Sequence, residues 1–102
     1  MKHFIVTHTF KSPVKQQQYF EFMNAVSSEQ VFERMTNENA KLIQSWSKEL
    51  TGKFFGEQQN MIMFGHWEAK SENDIKKLLG NLNDYFETFA TEVDIFFTRL
   101  SK

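Results

Sequence analysis

The sequence has no cysteine. That excludes a disulfide, a thiol nucleophile and a thiolate-held metal, and it fits a cytoplasmic setting. A single proline, Pro13, and four glycines leave no linker and no low-complexity stretch. There is no Gly-rich phosphate loop and no G-x-S-x-G elbow. Apolar residues never run beyond the four of Met61-Ile62-Met63-Phe64, so no helix spans a bilayer, and no secretory signal is visible. Neither charge sign dominates: 12 basic residues face 13 acidic ones, for a net charge of −1. Such a balance gives no electrostatic footprint for a phosphate backbone. Neither nucleic acid nor a membrane is an expected partner.

Aromatic residues are abundant instead. Twelve Phe stand against six Leu in a chain of 102 residues. A protein of 12.1 kDa buries about two-thirds of its surface on folding, which suffices for one core and one domain over 1–102. Residues 2–10 alternate, with Phe4, Val6, His8 and Phe10 on one face of a strand and His3, Ile5, Thr7 and Thr9 on the other. Ser12-Pro13 then opens a helix over 13–26, with Ser as cap and Pro at the first helical position. Its apolar stripe is Tyr19, Phe22, Met23 and Val26. A short helix carrying Val31, Phe32 and Met35 follows. A strand is expected over 42–47, with Leu42, Gln44 and Trp46 on one face. A long hairpin connection with Phe54 and Phe55 leads to a strand over 61–67. Ser71 to Asp74 has the shape of a capping box and starts a helix at 72, which Gly80 ends or weakens, with Phe86 and Phe89 on a short continuation. The last strand is expected over 93–99.

The order β-α-β-β-α-β is that of the ferredoxin-like split βαβ motif. It predicts an α+β fold with a four-stranded antiparallel sheet in the order 4-1-3-2 and helices on one face. The strands are apolar on both sides: Met61, Met63 and Trp67 oppose Ile62 and Phe64, and Ile95 and Phe97 oppose Phe96. One chain can cover such a sheet only once, so a second copy is expected to close a barrel across a two-fold axis.

The element order, the length and the apolar second face resemble the dimeric α+β barrel superfamily. The stretch from Met61 to Ile75, with strand, Trp67 and an acidic helix start, resembles its antibiotic-biosynthesis-monooxygenase-like members. The segments His8-Thr-Phe-Lys-Ser and His66-Trp-Glu-Ala-Lys-Ser resemble small uncharacterised marine microbial proteins of the same superfamily. Lys76 and Lys77 stand where the monooxygenase-like members carry a His. The resemblance implies a homodimer with a pocket between sheet and helices, and it spans oxygenases, isomerases and proteins of no known activity.

The candidate site residues follow from the strands. With Val6 opposite Phe64, His66 lies opposite Phe4 and His8 opposite Ile62. The two histidines then share a face but sit about 13 Å apart at ~3.3 Å per residue, too far to hold one metal ion. No metal and no cofactor is expected. Phe10, Tyr19, Trp46, Phe64, Trp67 and Phe96 are candidates to line an apolar pocket, with His8 or His66 fixing a polar head; Thr7, Thr9 and Gln44 are further polar candidates. The expected function is binding of a small, largely apolar ligand, fatty-acid-like or aromatic, by a homodimer. The alternatives are a cofactor-independent monooxygenase or isomerase with His8 or His66 as general base, or a structural or regulatory dimer without a ligand.

Overall fold

The computed structural model describes residues 1–50 and 60–99; the hairpin connection expected over 51–56 lies outside the described residues. Strand β1 is Lys2–Phe10, helix α1 Pro13–Ala25, helix α2 Ser28–Glu33, strand β2 Ala40–Leu50, strand β3 Asn60–Ala69, helix α3 Glu72–Leu79 and strand β4 Phe86–Val93, with a 3-10 turn at Gly80–Asp84 before β4.

Each helix begins at a serine. The Ser12 hydroxyl accepts from the Lys15 amide at 3.1 Å, with Pro13 next in the first turn. The Ser71 hydroxyl accepts from the Asp74 amide at 3.3 Å and donates to the Asp74 carboxylate at 2.7 Å. Such caps satisfy amide groups that have no partner inside the helix, and each contributes about 1 kcal/mol. Helix α3 stops at Gly80, whose φ of 57° is in the left-handed region that suits glycine.

The four strands form one antiparallel sheet in the order β2-β3-β1-β4. This is the expected 4-1-3-2 order read from the other edge, and the fold is ferredoxin-like. Phe4 and Val6 of β1, Met63 and Trp67 of β3 and Phe86 of β4 form one core with Tyr19 and Met23 of α1 and Ile75 and Leu79 of α3. The helices therefore cover one face of the sheet. Among the described residues no helix is long and apolar enough to cross a membrane.

Three expectations are corrected. The last strand is Phe86–Val93, not 93–99. Phe86 and Phe89, three apart, imitate a helical stripe, but Phe86 is buried and Phe89 is 58% exposed, on opposite faces of a strand. The turn after Gly80 reverses the chain early, and Phe10 lies opposite Phe86.

The register of β1 on β3 is displaced by one residue. Val6 lies opposite Gly65, not Phe64. A one-residue slip exchanges the faces of a strand. The observed register puts Trp67 and Met63 beneath the helices with Phe4, Val6 and His8, and leaves His66 and Phe64 on the other face. His8 and His66 do not share a face.

Strand β2 carries a bulge. Leu42 lies opposite Trp67, but Gln44 lies opposite His66, so Ile43 is the extra residue. Leu42 and Ser45 therefore belong to the helix-covered face, while Gln44 and Trp46 fall on the open one. The expected shared face of Leu42, Gln44 and Trp46 is lost at this point.

Candidate ligand pocket

Strand β2 and helices α1 and α2 do not close on each other. They leave a groove of about 690 Å³ walled by Tyr19, Phe20 and Met23 of α1, Phe32 of α2, Leu42 of β2 and Met63 of β3, with Asn24, Glu29 and Glu33 also on its lining. A small chamber of about 30 Å³ lies against the sheet, bordered by His8, Gly65, Trp67 and Phe86. Tyr19, Phe32, Leu42, Ser45 and Met63 border both spaces. A space of the chamber's size admits one water or one ligand oxygen.

Three polar groups meet the inner end. His8, on the buried face of β1, is 8% exposed. Its Nδ1 lies 2.9 Å from the Thr88 hydroxyl on β4, and its ring centroid is 4.4 Å from that of Phe86. With Nδ1 engaged, Nε2 is the ring nitrogen left for a guest. Burial disfavours the imidazolium and pushes the His8 pKa down to about 4, so the ring is neutral at pH 7. Burial likewise raises the Tyr19 pKa, which keeps the phenol protonated.

The third group is the Trp67 indole. It is 1% exposed, and among the described residues its Nε1 is a buried donor with no hydrogen-bond partner. Leaving such a donor unpaired costs about 1–3 kcal/mol. Gly65 is what allows the indole to lie where it does. A Cβ there would stand 3.0 Å from Trp67 Nε1, 3.2 Å from its Cδ1 and 3.3 Å from Leu42 Cδ1.

The candidates from the sequence thus separate. His8, Tyr19 and Trp67 meet at the chamber. Phe10 is half-buried beside Tyr19, with ring centroids 5.1 Å apart. Trp46 and Gln44 border only the outer groove, at the sheet edge. Phe64 and His66 occupy the open face with Thr7 and Thr9. Phe96 lies beyond β4 and is fully exposed, and it borders neither the groove nor the chamber. Ser45 and Gly65 were not candidates. The bulge at Ile43 turns Ser45 inward, and a glycine inside a strand is the signal that pointed to a close approach at position 65.

No family model and no curated protein matches the chain. Among solved structures it is similar to a dimeric ferredoxin-like protein from an uncultured marine organism, with 13% identity, a TM-score of 0.50, and 99% of this chain and 100% of that chain covered. It is also similar to SnoaB, a cofactor-independent oxygenase from Streptomyces nogalater, with 11% identity, a TM-score of 0.40, and 97% and 96% of the two chains covered. The first likeness is one of fold; the second is too loose to carry anything further.

Proposed function

We propose that this protein is a homodimer in which each subunit binds a small, largely apolar molecule between sheet and helices. The ligand presents one oxygen to the chamber, and its apolar body, a chain or an aromatic ring, lies in the groove. The observation that carries this reading is the unpaired, buried Trp67 Nε1 beside a groove walled mainly by apolar side chains. A carbonyl, carboxylate or phenol oxygen accepting from Nε1 and meeting His8 Nε2 relieves the cost of that orphan.

The homodimer is supported by the open face of the sheet. Trp46 lies opposite Phe64, Phe64 opposite Thr7, and Thr7 opposite Phe89. This row, three rings and a threonine, crosses all four strands, and no element among the described residues covers it. Beyond β4, Ile95, Phe96 and Phe97 are 52%, 102% and 67% exposed. Apolar surface of this extent marks an association face, and the marine protein of the same fold is dimeric. The setting we propose is cytoplasmic.

A general base works best with a pKa near the operating pH. His8, at about 4, is suited to orienting a ligand oxygen, not to taking a proton from it. That speaks against His8 as the general base of a cofactor-independent oxygenase or isomerase.

The test is native mass spectrometry of protein purified gently from cells, with extraction of any carried molecule. The expected result is a species of twice 12.1 kDa with one apolar, oxygen-bearing molecule per chain, reduced at least tenfold in Trp67→Phe. An empty dimer that binds neither fatty acids nor aromatic acids would make it a structural or regulatory dimer. Turnover of a bound compound, abolished in His8→Ala, would make it an enzyme.

A further inference from the structure

The open face of the sheet joins two histidines that the sequence pattern keeps apart. His3 on β1 lies opposite Glu68, and His66 on β3 lies opposite Ile5. Their rings meet on the diagonal between these pairs, within the reach of large side chains across an antiparallel ladder. His3 Nδ1 and His66 Nε2 are 3.0 Å apart. The ring centroids are 5.2 Å apart and the planes are inclined by 37°.

A hydrogen bond between imidazoles joins one N–H to one lone pair, so at least one ring is neutral. A metal ion between the same two nitrogens would use a lone pair from each. In the hydrogen-bonded pair the two nitrogens face each other almost head-on, since 3.0 Å plus the two ring radii nearly spans the 5.2 Å between centroids, so both rings must turn aside to share one ion. Among divalent first-row ions the affinity for such nitrogen ligands peaks at copper. Imidazole suits copper, nickel and zinc, and copper and nickel take the square-planar geometry.

We infer that His3 and His66 form a two-imidazole binding site for a divalent ion of the copper–nickel class on the open face of the sheet. Both residues sit on paired strands and are half-buried, so the two nitrogens are held near one another before the ion arrives. The surroundings are mixed in charge: Glu68 lies opposite His3, Lys41 opposite Glu68, and Gln44 opposite His66. Among the described residues no group of three or more His, Asp or Glu converges on one point. The protein therefore supplies two ligands, and the remaining positions fall to water or to donors of a second copy on this face. The site is separate from the pocket, since His8 lies on the opposite face.

The test is calorimetric titration of untagged, chelator-stripped protein with CuCl₂, NiCl₂ and ZnCl₂. The expected result is one Cu²⁺ per chain, with Cu²⁺ tighter than Ni²⁺ and Ni²⁺ tighter than Zn²⁺, and binding at least tenfold weaker in both His3→Gln and His66→Gln. No Cu²⁺ binding at this stoichiometry overturns the inference, as does unchanged binding in His66→Gln; Zn²⁺ as the tightest ion overturns the metal class. Proton NMR of the unaltered protein gives a second readout that needs no variant. Substoichiometric Cu²⁺ is expected to broaden the ring signals of His3 and His66 before that of His8, and broadening of His8 first overturns the site.

Discussion

The two faces of the sheet come from the same alternating strands, and they contain similar residues. Phe4, Val6 and Trp67 point to the helices and are at most 5% exposed; Ile5 and Phe89 point away and are 38% and 58% exposed. The covered face is closed by α1 and α3 and keeps its polar groups few and defined. His8 is bonded to Thr88, and Trp67 Nε1 is unpaired. The open face mixes rings, threonines and a histidine pair, and no element among the described residues covers it. Hydrophobicity alone does not distinguish them; the presence of a covering layer does.

Four changes test that contrast, from the largest effect to the smallest. Trp67→Ala on the covered face should cost about 3–5 kcal/mol in urea unfolding, through lost burial and the cavity left behind. A loss below about 1 kcal/mol would mean that the indole is not packed as described.

Acid should act next, through His8. Its folded pKa of about 4 lies below the ordinary histidine value of 6.5, so the unfolded chain binds the proton more readily. The stabilisation is complete above pH 6.5 and is lost as the pH falls from 6.5 to 4, by about 3 kcal/mol at most. His8→Gln should unfold with a flatter pH dependence over that window. Equal slopes would show that His8 is charged or solvated in the folded protein.

Gly65→Ala should cost about 1–3 kcal/mol, because the added methyl meets the Trp67 ring and Leu42. It should also displace the indole, visible as a changed near-ultraviolet circular dichroism spectrum.

On the open face, Phe89→Ser should leave the stability of an isolated subunit within about 0.5 kcal/mol, as for other exposed positions. Light scattering should nonetheless show a lower mass than for the unaltered protein. An unchanged dimer would place the association surface elsewhere.

Much of the fold was legible in the sequence because the signals were local. Ser12-Pro13 and Ser71 to Asp74 state where helices begin, and the alternation from Phe4 to His8 gives the buried face of β1. What could not be read locally depended on partners distant in the chain. The register of β1 on β3 is decided by which pairing buries both Trp67 and Val6, and a one-residue error moved His66 to the wrong face. The bulge at Ile43 has no mark of its own, since Ile suits a regular strand equally well. Phe86 and Phe89 fit two periods, and only the abrupt turn after Gly80 settles which applies. The same register error set Phe64 on the face of His8 and Trp67 on the other, and the observed register exchanges them. The unpaired indole N–H was not visible, because an orphaned donor is a property of the packed surroundings.

The bulge in β2 also carries a lesson for engineering. Deleting Ile43 alone would restore continuous alternation after Leu42. Gln44 and Trp46 would stay on the open face and Ser45 and Ser47 on the covered one, opposite the same residues of β3 as before. A regular strand that kept Ile43 would instead turn Gln44 and Trp46 toward the helices with Leu42, exchanging a small, hydroxyl-bearing wall for a bulky one carrying an indole and an amide. In this protein the lining of the groove is set by the length of the chain at one point as much as by its composition.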